Sequence, residues 1–291
     1  MKQYIIDAFT DELFSGNQAA VCIPDEWPED ELMMNIAKEN NFSETAFAVR
    51  KGNAYHLRWF TPGGEIDFCG HATLGTSFVI FNYYEKSSSE ITFMTKVGEL
   101  KVQRKDGIFE MDFPAYTLNR IEVTDQMEDA IGVRPLEAYI DRDLLLVLPD
   151  AASVVKLQPD QNKMLQLDGL LTAVTAPSDD EKYDCISRVF APKLNVPEDP
   201  VTGSAHCMIT PYWCHRLRKK NLVCYQASER TGVLFAGIHG DRVKIAGNAA
   251  LYSEGRILEN CIRQFLLEAA GDSGNIERRK YGSSQKVFFT T

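Results

Sequence analysis

The residues able to do chemistry fall into two matching clusters. The first, Cys69-Gly70-His71-Ala72-Thr73, carries a thiol and an imidazole. The second, Glu198-Asp199-Pro200-Val201-Thr202-Gly203-Ser204-Ala205-His206, carries carboxylates, hydroxyls and another imidazole. Both close on Gly-x-Ala, as Gly70-His71-Ala72 and Gly203-Ser204-Ala205, and both are preceded by Phe-x-Pro, as Phe60-Thr61-Pro62 and Phe190-Ala191-Pro192. Phe and Gly are ten residues apart in the first copy and thirteen in the second, so the second holds a short insertion. An apolar helix candidate follows each. Backbone amides at a helix start lack intrahelical acceptors, and with the positive dipole end they favour a carboxylate or phosphate. Gly70, Ala72 and Gly203 are therefore candidate backbone contacts to an anion. If the two units face each other about a pseudo-twofold axis, His71 and Ser204 stand on opposite walls of one cleft, with Asp199 beside them.

Two further polar residues enter the reckoning. Glu44 heads the apolar run Thr45-Ala46-Phe47-Ala48-Val49. The general surface preference of glutamate favours exposure there. Drawn into a cleft, it would gain a raised pKa from desolvation and could exchange protons near neutrality. Asn17, in Gly16-Asn17, reads either as a tight turn or as a substrate contact.

Other chemistries fit less well. Asp199, Ser204 and His206 are the residue types of a hydrolase triad, but the run Thr202-Gly203-Ser204-Ala205 is no Gly-x-Ser-x-Gly elbow. Cys69, His71, His206 and Cys207 do not have a known zinc-ligand spacing. No Walker A or dinucleotide fingerprint appears.

Strands are expected at 3–9, 44–49 and 54–60, with a helix from about Pro28 and another over 70–82. Two or three strands then run to Pro114, with Asp106-Gly107 as a hairpin turn. The second half repeats that grammar. Thr124 caps a short helix, Leu144-Leu145-Leu146-Val147-Leu148 is a buried strand, and Tyr183–Phe190 feeds the second Phe-x-Pro loop. A helix follows over 204–218 with Pro211 inside it, predicting a kink or an interrupted first turn. Three closing strands complete the half. The tail carries apolar residues at helical spacing over 258–270, then a polar, basic stretch and a last strand around 286–289.

The chain has 291 residues, 44% hydrophobic and 25% charged, with a net charge of −10. That describes a globular protein and argues against a nucleic-acid or anionic-membrane surface. No apolar run reaches a membrane-spanning length, and the acidic N-terminus is unlike a signal peptide. Seven cysteines at scattered spacings fit reduced thiols in a cytoplasm.

Taken together, Asp7-Ala8-Phe9-Thr10, Gly16-Asn17-Gln18-Ala19-Ala20-Val21, Ser43-Glu44-Thr45, Arg58-Trp59-Phe60-Thr61-Pro62 and the two tips form a specific pattern. In this the chain resembles the PhzF-like isomerases, named for phenazine biosynthesis, which have the diaminopimelate-epimerase fold. The resemblance implies an α+β architecture of two pseudo-symmetric domains, 1–115 and 116–257, each a curved mixed, barrel-like sheet around a central helix. Residues 258–291 form an extension outside the pattern. It also implies an active site between the domains, a glutamate proton shuttle at Glu44, support from His71, Asp199 and Ser204, a small carboxylic acid substrate and a homodimer. No metal, flavin or pyridoxal phosphate is implied. Where related epimerases use two cysteines, Cys69 matches the first and the Thr202 region the second, which disfavours a two-cysteine racemase. The alternative is a non-catalytic binding protein on the same scaffold.

Overall fold

Strands rich in β-branched and aromatic residues, broken by glycine turns, assemble into one continuous sheet. The computed structural model describes residues 1–258; the helix expected over 258–270 and the strand around 286–289 fall outside that range. Residues 2–256 form one compact unit.

In chain order the first elements are β1 (Lys2–Ala8), β2 (Asn17–Ile23), α1 (Asp30–Asn40), β3 (Glu44–Lys51), β4 (Ala54–Thr61), β5 (Gly64–Ile66) and α2 (Gly70–Val79). A π-helical turn at Ile80–Tyr84 leads into β6 (Glu90–Thr95), β7 (Gly98–Lys105), β8 (Ile108–Pro114) and β9 (Asn119–Ile121). The second series is α3 (Asp125–Ile131), β10 (Glu137–Ile140), β11 (Leu144–Val147), α4 (Ala151–Val155), α5 (Gln161–Met164), β12 (Thr172–Pro177), β13 (Cys185–Ala191) and β14 (Val196–Asp199). It closes with α6 (His206–Leu217), β15 (Asn221–Gln226), β16 (Gly232–His239), β17 (Arg242–Gly247) and β18 (Ala249–Arg256).

The pairings repeat. In the first series β1 pairs antiparallel with β2, β2 parallel with β3, β3 antiparallel with β4 and β4 parallel with β6. In the second, β10 pairs antiparallel with β11, β11 parallel with β12, β12 antiparallel with β13 and β13 parallel with β15. A short strand folds back on β4 in one case and on β13 in the other. The two series join where β8 pairs antiparallel with β17. The last strand of each series pairs with the first strand of the other, β9 with β10 and β18 with β1. The fold is thus mixed α+β and sheet-dominated, as expected, and its connectivity carries the internal repeat read from Phe-x-Pro and Gly-x-Ala.

Each series packs its sheet on one apolar helix. α2 lies against β1, β2 and β3, and α6 against β15, β16 and β17. Nearly every side chain of α2 is buried, and the hydroxyls of Thr73, Thr76 and Ser77 bond the carbonyls one turn back. Such back-bonding lets polar residues sit on a wholly buried helix. Pro211 lies inside α6, and the carbonyl its ring deprives of a donor, Cys207 O, accepts instead from Tyr116 N at 3.0 Å. The helix starts at His206, two residues later than expected, after a tight turn in which His206 N donates to Gly203 O. Thr124 caps α3 as expected, accepting from Met127 N. No disulfide joins the described cysteines.

Phe9 ties the series together. It adopts a left-handed φ of 64°, donates to Asn248 O at 2.8 Å and accepts from Val233 N at 2.9 Å. A Cβ on Gly247 would lie 2.4 Å from the Phe9 ring and 3.3 Å from Leu74. Neither neighbour can yield without moving the core, so Gly247→Ala should destabilise by about 1–3 kcal/mol. Urea denaturation checks this; a midpoint equal to the wild type would mean that the ring relaxes freely.

Candidate active site

The two glycine tips meet. A Cβ built on Gly70 would come within 3.9 Å of Gly203 Cα. Beside them opens a cavity of about 350 Å³, whose wall includes Glu44, His71, Asp199, Ser204, Gly70 and Gly203. Asn17 and Ala72 lie behind that wall, fully or almost fully buried.

Glu44 is the first residue of β3, and its register partner is Ala19 on the buried β2. Its side chain is only 14% exposed and its Oε2 lies 3.0 Å from His71 Nε2. The exposure favoured by composition is thereby overturned, because the His71 cation offsets the cost of burying the carboxylate. The contact falls short of an aligned hydrogen bond, which leaves Oε2 buried with no hydrogen-bond donor among the described residues. Burial pushes the Glu44 pKa up, but His71, with help from Ser43 and Cys69, outweighs it and holds the group below the ordinary glutamate value. For His71, burial pulls the pKa down, while Cys69 and Glu44 carry it well above the ordinary value. The resting pair is carboxylate and imidazolium.

Asn17 ties the first tip to the second. Its Nδ2 donates to Asp199 Oδ1 at 2.8 Å and Val201 O at 3.0 Å. Those two oxygens use both amide hydrogens. His71 Nδ1, 3.1 Å from Asn17 Nδ2, then finds its acceptor in Cys69 Sγ at 3.5 Å. The Cys69 thiol is pushed up to about 11 by burial and then by Glu44, so it stays protonated. A neutral thiol is a poor nucleophile and base, consistent with the one-cysteine reading.

Asp199 accepts from Asn17 on one oxygen and from the Thr202 hydroxyl on the other. Gln226 supports the same turn, donating to Asp199 O at 2.7 Å and accepting from Thr202 N at 2.9 Å. Burial raises the Asp199 pKa more than His71 and Thr202 lower it. Two carboxyls near one imidazole are thus driven in opposite directions, Glu44 down and Asp199 up.

Ser204 Oγ accepts from Arg142 Nη2 at 2.9 Å. His206 turns away: its Nδ1 lies 2.8 Å from Thr202 O, and burial lowers its pKa to about 4. Asp199, Ser204 and His206 therefore form no hydrolase relay. Among the described residues, those that approach one another as possible metal ligands are Glu44, Cys69 and His71, without His206 or Cys207. Reading the sequence missed Arg142 and Gln226. Arg142 stands in Asp141-Arg142-Asp143, which reads as an ordinary charged turn, and no local signal marks it.

A family model described as "Phenazine biosynthesis-like protein" matches residues 6–255. The chain belongs to the PhzF-like family. Its curated relatives include an uncharacterized isomerase of Pseudomonas aeruginosa, 44% identical over 253 residues that cover 87% of this chain and 96% of the relative. Among solved structures, a PhzF-family protein from Enterococcus faecalis has 46% identity and a TM-score of 0.85, over 87% of this chain and 97% of that one. A PhzC/PhzF protein from Clostridium difficile has 42% identity and a TM-score of 0.84, over 88% and 99%. The PhzF-like match ends at residue 255, so the extension beyond 258 lies outside it. No helix among the described residues is long and apolar enough to cross a membrane.

Proposed function

We propose that this PhzF-like chain is an isomerase that moves a proton on a small, ring-bearing carboxylic acid without a cofactor, using Glu44 as the acid/base. The observation that carries the reading is the buried Glu44 Oε2, without an aligned donor, at the edge of the cavity and 3.0 Å from His71 Nε2. A carboxylate so placed is ionised yet not fully hydrogen-bonded, which suits proton abstraction from carbon. The C–H electron pair passes into the carbon skeleton next to the substrate carboxylate. Glu44, now a carboxylic acid, returns the proton at a second carbon, and the composition is unchanged. The His71 cation compensates the negative charge at Glu44 and, with the amides at the start of α2, the charge that develops on the substrate. Asp199, held by Asn17 and Thr202, keeps the second tip in register with His71. Asn17 acts as a positioning residue in this scheme. The two domains of this scheme are 1–115 and 116–257, and the homodimer is the assembly we adopt for it.

The test is hydrogen exchange. The protein is incubated in heavy water with a panel of cyclic unsaturated carboxylic acids, and deuterium at carbon is followed by NMR. Glu44's value lies below the ordinary 4.5 and that of His71 above the ordinary 6.5. The working ion pair is therefore lost only as pH falls through the lowered Glu44 value or rises through the raised His71 value. Exchange should be level at least from pH 4.5 to 6.5 and decline only below the lowered Glu44 value and above the raised His71 value. Binding across the panel without any exchange would count for a non-catalytic binding protein.

A further inference from the structure

The repeat lets one half of the site be read through the other. The first register pair of β2 with β3 is Ala19 with Glu44, and that of β11 with β12 is Leu144 with Thr172. Superposing these pairs places Arg142 where Asn17 stands, two residues before the matched position, and Thr172 where Glu44 stands. His71 and Ser204 already correspond as the middle residues of Gly-x-Ala. The contacts correspond too: Asn17 Nδ2 lies 3.1 Å from His71 Nδ1, and Arg142 Nη2 lies 2.9 Å from Ser204 Oγ. The same cradle is thus built twice, once around an imidazole and a carboxylate, once around a hydroxyl and a guanidinium.

Arg142 is held from several sides and still has donors to spare. Its Nε and Nη2 bond the two carboxylate oxygens of Asp143 at 3.0 and 2.6 Å, and Asp143 is buried. Its guanidinium lies 5.2 Å from the centre of the Tyr116 ring. Leu170 N donates to Arg142 O at 2.8 Å, and Gly169, at φ +79°, lets that loop pack so closely that a Cβ would lie 2.6 Å from Leu144 N. By contrast Arg58 and Arg188 spend all three nitrogens on described protein acceptors. Arg142 Nη1 has no acceptor among the described residues, and its side chain is 34% exposed on the cavity wall. Because Ser204 Oγ accepts from Arg142, its own hydrogen is free to point into the cavity. The wall also carries Glu44, Asp67 and Asp199, and Arg142 is its one lysine or arginine among the described residues. The His71 cation is committed to Glu44, so Arg142 is the cation on this wall placed to receive an anionic substrate.

We infer that Arg142 and Ser204 form the carboxylate-binding end of the cavity, Nη1 and the hydroxyl each donating to a carboxylate oxygen, while the half that holds Glu44 works on the carbon skeleton. This inference rests on the proton-transfer reading for the role of the opposite half. It makes Arg142 a specificity residue for a carboxylate over its neutral isostere, since a charge-assisted pair of donors discriminates strongly.

The experiment measures binding of cyclohex-1-ene-1-carboxylate and of its primary amide by ligand-observed NMR, alongside exchange in heavy water. The wild type should bind the acid and reject the amide. Arg142→Lys keeps a cation beside Asp143 but loses the fork, and should weaken acid binding about tenfold; Ser204→Ala should do the same. Arg142→Met should weaken it further, and a thermal melt shows whether stranding Asp143 has unfolded it. Glu44→Gln should bind the acid as the wild type does while losing exchange. Equal affinity for acid and amide, no binding by the wild type, or acid binding by Arg142→Lys and Ser204→Ala within about twofold of wild type would overturn the inference. Arg142-dependent binding with no exchange from any acid would instead count against the isomerase alone.

Discussion

Glu44→Gln should abolish carbon-bound deuterium incorporation, with a loss of roughly 10²–10⁴-fold, the usual worth of a positioned acid/base. Glutamine has the shape of a protonated glutamate and can still face His71 Nε2, but it can neither take nor return a proton. The side chain is 14% exposed with His71 Nε2 3.0 Å from its Oε2, and the isosteric glutamine introduces no new volume there. Ligand binding should stay near that of the wild type, while the melting temperature should fall, because the substitution removes one partner of a buried ion pair. The measurement is exchange under saturating acid at pH 6, inside the level region of the pH profile. If the variant keeps more than about a tenth of the wild-type rate, the general base is another group. Asp199 would be the next to test, as it lines the same cavity with a pKa pushed upward by burial.

The second large effect is on stability. His71→Leu should cost roughly 3–5 kcal/mol near neutral pH, the range for removing one partner of a buried ion pair. The loss is chiefly the stranded charge of Glu44. In the wild type the lowered Glu44 value means that its contribution is present above pH 4.5 and is lost as pH falls through the lowered value. The raised His71 value means that its contribution is complete below pH 6.5 and is lost as pH rises through the raised value. In the variant desolvation of Glu44 is opposed only by the weaker bonds from Ser43 and Cys69, and its pKa rises. The variant then recovers stability on acidification, when the stranded carboxylate takes up a proton. The gap between wild type and variant should be widest between pH 5.5 and 6.5 and should narrow below pH 4.5. The double variant Glu44→Gln/His71→Leu should regain most of the loss at pH 6.5, because no charge is left buried. Urea titrations at pH 4 and 6.5 give both comparisons. A loss that is the same at the two pH values, or that the double variant does not relieve, would assign the cost to packing around α2 and not to charge.

Much of this was legible in local sequence. The Phe-x-Pro and Gly-x-Ala echoes mark the strand ends and helix starts, because glycine, proline and helix-start preferences act over a few residues. The apolar runs likewise mark the buried strands, and the connectivity of the two series bears out the repeat. The resemblance supplied Glu44, His71, Asp199 and Ser204 as candidates, and all four reach one cavity. Composition alone pointed Glu44 toward solvent, since the cation that makes its burial tolerable stands 27 positions away on another element.

The rest belongs to the tertiary structure. Asn17 bonds Asp199 across 182 residues and Arg142 bonds Ser204 across 62. No spacing rule connects such positions; they meet because two superposable sets of strands bring β2 and β11 beside the opposed helix starts. Whether His206 joins Ser204 or turns to Thr202 O was likewise decided by the tight turn before α6, not by residue type. By itself the sequence determined where each half turns and which residue types stand at those turns. Only the folded chain decided which charges face one another, because the energy of an ion pair depends on distance and burial, and neither is written in the order of residues.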